Sequence, residues 1–250
     1  MIRISPAIQE EGQESKSDAD LDELTDELLL AAAEGGEQPP AAVVIGASIV
    51  KRLDMTGEAA VVARSGIEAA GVQELLEQAT DMVETDKMEK VILHLGTNDL
   101  MHNKDDTEVV KLNIAGAVGK VKDVFQNAEI GIAAIPPRQG KSQGIVQYNQ
   151  KAKTVNHYIE MLAGREERVT YIDTYEVFAP RGGHVVKGFY SDRDPAGIHF
   201  SQAGTDALKK EFQVFLRADG EDSRKRMRSA EATPNSEEKS TKKGKQQESS

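Results

Sequence analysis

Five short apolar runs, each separated from the next by a stretch of helical periodicity, constrain this chain more than any other feature. They are Ala42-Val43-Val44-Ile45, Ala59-Ala60-Val61-Val62-Ala63, Val91-Ile92-Leu93-His94-Leu95, Ile130-Gly131-Ile132-Ala133-Ala134-Ile135 and Val169-Thr170-Tyr171-Ile172-Asp173. The runs are continuous rather than alternating, which is the pattern of strands covered on both faces. Helical periodicity fills roughly 72–84, 107–126, 144–163 and 202–216. Strand–helix alternation of this kind demands crossovers and a parallel sheet. The expectation is an α/β protein in three layers, a five-stranded parallel sheet between helices, forming one doubly wound domain over 41–217.

The flanks differ in composition. Residues 1–40 set eleven acidic side chains against two basic ones, whereas 218–250 set eight basic against seven acidic. Within the acidic arm, Leu21, Leu24, Leu28 and Ala31 recur on one helical face, Ser17 or Asp18 can cap it, and Gly35-Gly36 ends it. A short helix over 17–34 is expected. It either packs on the domain or docks a protein partner, since an isolated helix of that length is marginal in water. After Arg217 the apolar content collapses, and a disordered tail is expected. Its basic clusters, Arg224-Lys225-Arg226-Met227-Arg228 and Lys239 to Lys245, are either solvated charge or a contact for nuclear import or nucleic acid within 224–245.

Composition removes several chemistries. The chain has no cysteine, so disulfides, zinc–thiolate sites and thiol nucleophiles are excluded. No apolar run nears the ~20 residues of a membrane span, and Met1 to Gln13 is too polar for a signal peptide. An intracellular protein, cytoplasmic or nuclear, without a membrane partner, is expected. The net charge of −11 disfavours a duplex-binding surface. Aromatic content of 4% without tryptophan disfavours a stacking platform.

Ligands of a parallel α/β sheet bind beyond the carboxyl ends of its strands, and four loops there are unusual. Gly46-Ala47-Ser48 follows the first run; glycine permits a tight turn, Ser48 is lifted to the rim, and its N–H is expected to open a helix toward an oxyanion. As a lone tripeptide it is equally a helix cap. Ala63-Arg64-Ser65-Gly66 follows the second run, and glycine lets a backbone N–H approach a ligand. Leu95-Gly96-Thr97-Asn98-Asp99 follows the third, with Asn98 able to offer its amide to developing negative charge or to form an Asx-turn. Gly197-Ile198-His199-Phe200-Ser201 precedes the last helix, and His199 can take a proton from a hydroxyl and return it to a leaving group.

Together these segments resemble the SGNH hydrolase (GDSL esterase/lipase) superfamily, over about 43–216 and in the superfamily's block order. The forms Val44-Ile45-Gly46-x-Ser48-Ile49, His94-Leu95-Gly96-Thr97-Asn98-Asp99-Leu100 and Gly197-Ile198-His199-Phe200-Ser201 are also similar to esterase-like domains of LINE-type retrotransposon first-frame proteins. The resemblance implies a flavodoxin-like fold and a serine esterase acting on a small ester without metal or cofactor. Ser48 would be the nucleophile, His199 the base, and the N–H groups of Ser48 and Gly66 with the Asn98 amide the oxyanion hole.

Two acids of that pattern are missing. Ala47 stands in the middle of Gly-Asp-Ser, and Ala196 stands three residues before the histidine, where an aspartate would orient the imidazole. Asp194, five residues before His199, replaces it only if Pro195-Ala196 loops out; Asp192 is the remoter option. Two readings of other classes therefore stand beside the esterase. One is an inactive SGNH-fold scaffold recruiting a protein through 17–34, and the other a retroelement-type accessory protein contacting nucleic acid through its tail. Among the remaining histidines, His94 is expected to be a satisfied core residue, and His102, His157 and His184 lie on helices or loops. No His/Asp/Glu spacing makes a metal site, and Gly140-Lys141-Ser142 lacks the spacing of a phosphate loop.

Overall fold

In the computed structural model of the chain, which describes residues 40–102, 106–180, 183–194 and 196–218, all five apolar runs are strands. They are β1 (Ala42–Gly46), β2 (Ala60–Ala63), β3 (Lys90–His94), β4 (Glu129–Ala133) and β5 (Val169–Ile172). They form one sheet in the order β2-β1-β3-β4-β5, every neighbouring pair parallel. The helix expected over 17–34 and the basic clusters of 224–245 lie outside the described residues.

The helices are α1 (Val72–Met82), α2 (Thr97–His102), α3 (Thr107–Val124), α4 (Gln143–Arg165), α5 (Thr174–Phe178) and α6 (Gln202–Arg217). Side-chain caps start the three longest: Asp106 accepts from the N–H groups of Glu108 and Val109, Ser142 from Ile145, and Ser201 from Gly204. The short helices α2 and α5 carry too few residues for a hydrophobic period, so the sequence pattern does not show them.

Each strand feeds two cores, because alternate side chains leave opposite faces. Val43, Ile45, Val91, Leu93, Ile130, Ile132 and Val169 join Leu75 and Leu76 of α1, Ile114 and Val118 of α3, and Val155 and Ile159 of α4. On the other face, Val44, Ile92, Ala133 and Ile172 join Phe178 of α5 and Leu208, Phe212 and Phe215 of α6. The expected three layers follow from this two-sided burial.

Lys90, the first residue of β3, also closes the end of α6. Its ammonium donates to the carbonyl of Phe215 at 2.8 Å and to that of Ala218, and sits 5.1 Å from the Phe215 ring centre. A cation at a helix C-terminus meets the negative end of the macrodipole and the unpaired last carbonyls. Ala41 lies at the same rim, its carbonyl accepting from the N–H of Glu89.

Candidate active site

Parallel pairing sets Gly46 opposite both Ala63 of β2 and His94 of β3. The loops carrying Ser48, Gly66 and Asn98 therefore leave the same edge of three adjacent strands. Gly46 makes the first turn possible: a Cβ there would fall 2.7 Å from the His94 carbonyl oxygen and from Cγ2 of Val50. The turn is pinned on both sides, Ala47 N–H donating to His94 O at 3.4 Å and Arg64 N–H to Gly46 O at 3.2 Å. Ala47 itself is buried against the hydrophobic core. Ser48 is half-buried.

Ser48 does not open an α-helix, contrary to expectation. Only a 3-10 turn over Val50–Arg52 follows, and the chain is extended again at Leu53. Ile49, Val50, Leu53 and Met55 all enter the second core, an arrangement that a single amphipathic helix face could not supply over so short a span. Thr56 bonds back to Asp54 and completes the break.

Gly66 has a φ of 76°, and a Cβ added there would meet nothing within 4 Å, so its backbone is open to an approaching group. Asn98 and Asp99 occupy the first turn of α2. The Asn98 amide donates to the Ile67 carbonyl at 2.7 Å, using one of its two N–H bonds. Asp99 is fully buried. It accepts from Ala69 N–H with both oxygens, at 3.1 and 2.9 Å, and from the Asn113 amide at 3.3 Å. Burial pushes its carboxyl above the usual carboxylate range, against the pull of those donors.

Asp194, not Asp192, faces His199. Its Oδ2 lies 3.0 Å from His199 Nδ1, while Asp192 is exposed. The same carboxylate accepts backbone N–H groups from Ala196 (2.9 Å), Ile198 (2.7 Å) and His199 (2.7 Å). Partial burial works against ionisation, but the N–H donors of His199, Ile198 and Ala196, with the imidazole, hold the carboxyl down to about 2.

The loop is held by residues that sequence reasoning missed. The Arg138 guanidinium, stacked 5.3 Å over Tyr148, grips the Ala196 carbonyl through Nε at 2.9 Å and through Nη2. Gln139 N–H donates to Gly197 O at 2.9 Å. Gly197 has a φ of 64°, and a Cβ there would lie 2.0 Å from Gln139 O, so only glycine fits on both counts. On the other side, Tyr190 pairs with Phe200 in an antiparallel bridge and donates its hydroxyl to Pro137 O. Phe200, beside His199, and Ile49, beside Ser48, belong to one buried cluster. Among these holders only Gly197 and Phe200 fall in a stretch that the sequence singled out; Arg138, Gln139 and Tyr190 do not.

His94 corrects another expectation. It is buried, 1% exposed, but neither ring nitrogen has a hydrogen-bond partner. It lies edge-on to Phe212, ring centres 6.2 Å apart. Desolvation holds its pKa down to about 4, so the imidazole stays neutral here while the unfolded chain titrates near 6.5. The unfolded state then binds the extra proton, and stability is lost as pH falls from about 6.5 to about 4, by roughly 3 kcal/mol. His94→Leu is expected to lack this loss, measured as the difference between urea unfolding free energies at pH 7 and pH 4.5.

His102 is exposed and pairs with Glu68 at 2.6 Å. His157 and His184 are exposed as well. Among the described residues, no group of three or more His, Asp or Glu side chains is placed to hold a metal ion. None of the described helices is long and apolar enough to cross a membrane.

A putative platelet activating factor from Streptococcus pneumoniae has a similar fold, with a TM-score of 0.59 at 21% identity over 80% of this chain and all of that one. A putative acylhydrolase from Bacteroides fragilis matches with a TM-score of 0.56 at 16% identity, over 81% of this chain and 98% of that one. An acetyl-xylooligosaccharide esterase from a Geobacillus species matches at 0.51 and 15%, over 72% and 94%. At such identities the likeness is one of fold. No curated protein matches the chain closely enough to count as a relative. The sequence profile of one family, however, matches residues 31–207, which takes in all five strands and every residue placed above around the carboxyl edge of the sheet. On that match the chain belongs to the GDSL-like lipase/acylhydrolase family.

Proposed function

We propose that the protein is a serine esterase that hydrolyses a small acyl ester through an acyl-serine intermediate. The observation that carries this reading is the 3.0 Å contact between Asp194 and His199 Nδ1. An acid at unusual spacing serves the imidazole where position 196 offers only a methyl group. The three backbone N–H groups that the carboxylate accepts also cap the loop and hold it against the ring.

With Nδ1 committed to Asp194, Nε2 is the nitrogen that exchanges protons with substrate groups. Ser48 Oγ attacks the ester carbonyl carbon and His199 Nε2 takes the hydroxyl proton. The tetrahedral oxyanion accepts hydrogen bonds from the N–H groups of Ser48 and Gly66 and from the second Asn98 amide hydrogen. Collapse breaks the carbon–oxygen bond, and His199 protonates the departing alkoxide. Water then repeats the sequence on the acyl-serine, releasing the acid and restoring Ser48. Asp194 stays ionised throughout and stabilises the imidazolium.

One fold neighbour is an acetyl-xylooligosaccharide esterase, and acetyl is the acyl size we take for the test. The purified protein is expected to hydrolyse p-nitrophenyl acetate and to be labelled by a fluorophosphonate on the peptide containing Ser48. Hydrolysis at the background rate together with an unlabelled Ser48 would sink the proposal and leave the buried methyl of Ala47 as the trace of a lineage that kept the fold for binding.

A further inference from the structure

Three side chains of the six-residue helix α2 take hold of three consecutive residues of the loop after β2. Asn98 Nδ2 donates to Ile67 O at 2.7 Å, His102 Nδ1 meets Glu68 Oε1 at 2.6 Å, and Asp99 accepts Ala69 N–H with both oxygens. The three grips are unequal. The first two are half-buried or exposed, whereas Asp99 and Ala69 are both fully buried. Asn113, reaching from α3, donates to Asp99 Oδ1 at 3.3 Å and fixes the carboxylate from a second side. Gly66 stands immediately before this held segment, with φ in the left-handed region and open space around it. No side chain packs where its Cβ would be, so its N–H direction is set by the chain on either side, held at Arg64 before it and at Ile67 to Ala69 after it.

From this arrangement we infer that Asp99 is a positioning residue for the oxyanion hole, fixing the Gly66 N–H relative to the Asn98 amide by anchoring Ala69. The inference rests on the esterase reading above for its catalytic meaning but not for its structural content. Asp99 touches no reacting atom. It sits next to Asn98 in the chain and ties the neighbouring loop to the same helix, so the two oxyanion donors move together or not at all. A misplacement of about 1 Å in such a constellation costs about 10²-fold in rate.

Asp99→Ala is therefore expected to lower kcat on p-nitrophenyl acetate by about 10²-fold with KM changed less than about threefold. Affinity for an arylboronic acid, whose tetrahedral serine adduct places an oxygen in the oxyanion hole, should weaken by a similar factor. Asp99→Asn keeps one oxygen for the Ala69 N–H and should restore kcat to within about tenfold of the parent. Independently of activity, amide hydrogen exchange at Ile67 to Ala69 should quicken in Asp99→Ala while β1 and β3 stay protected. Unchanged kcat and boronate affinity, or losses that only track the fraction of unfolded protein, would overturn the inference. Should Asp99→Ala fail to fold, Asp99→Ser and Asp99→Asn carry the same comparison, and a ranking of exchange at Ala69 that ignores the acceptor at position 99 would overturn it. If the parent protein hydrolyses no ester, the esterase reading has failed, and the exchange result still decides whether Asp99 anchors the loop.

Discussion

His199→Ala is expected to bring ester turnover down to the uncatalysed rate, a loss of about 10⁴-fold or more, because nucleophile and base act as a unit. Without the imidazole, the Ser48 hydroxyl has no acceptor for its proton and the leaving alkoxide has no donor. The fold should survive. His199 is exposed, with its side chain 48% accessible, and its backbone bonds to Ser191 and Asp194 do not involve the ring. Thermal melting of the variant within a few degrees of the parent, with hydrolysis lost, is the expected pair of results. Retention of more than a tenth of the parental kcat would remove His199 from the chemistry.

The second large effect belongs to Asp194→Asn, for which a fall of about 10⁴-fold in kcat is expected. Asparagine is nearly isosteric, but its single oxygen can serve either the Ala196 N–H, now on Oδ1, or the Ile198 and His199 N–H groups, now on Oδ2. With the oxygen on the Oδ2 side it still accepts from Nδ1, but the negative charge that stabilises the imidazolium is gone. If its amide nitrogen turns to the ring, Nδ1 becomes an acceptor, the proton moves to Nε2, and the imidazole can no longer take a proton from Ser48. The pH dependence follows from the low pKa of the aspartate. Its folded value of about 2 lies below the ordinary 3.8, so its contribution to stability is complete above about 4 and is lost as pH falls through 2. Asp194→Asn should therefore lose activity at pH 7 without changing the slope of stability against pH between 4 and 7, which circular dichroism melts would register.

The sheet was legible because strands covered on both faces must be apolar without interruption, and Val43 to Ile45 or Val91 to Leu93 leave no polar residue to blur the pattern. The long helices were legible from their apolar periodicity, and their real ends differ by a residue or two. The site was legible where glycine was required, as at Gly46 and Gly66, since backbone geometry there leaves no other choice. It was illegible where partners are far apart in the chain. Arg138 grips the Ala196 carbonyl across 58 residues, and nothing near position 138 announces it. Asp194 could be counted back from His199, but its approach to the ring depends on the bend at Gly197 and on the Gln139 N–H that bonds the Gly197 carbonyl. His94 shows the opposite failure: polarity inside an apolar run suggested a satisfied partner, whereas packing against Phe212 left both nitrogens bare.

The clasp that Lys90 makes on the carbonyls of Phe215 and Ala218 has a practical outcome. It fixes the end of α6 beside Ala41, on the rim where β1 and β3 begin, while Ser48 and Asn98 follow the ends of those strands. A fluorophore carried on Ala41→Cys, exposed at that rim, would therefore sit at the opposite end of the strands from Ser48 and Asn98.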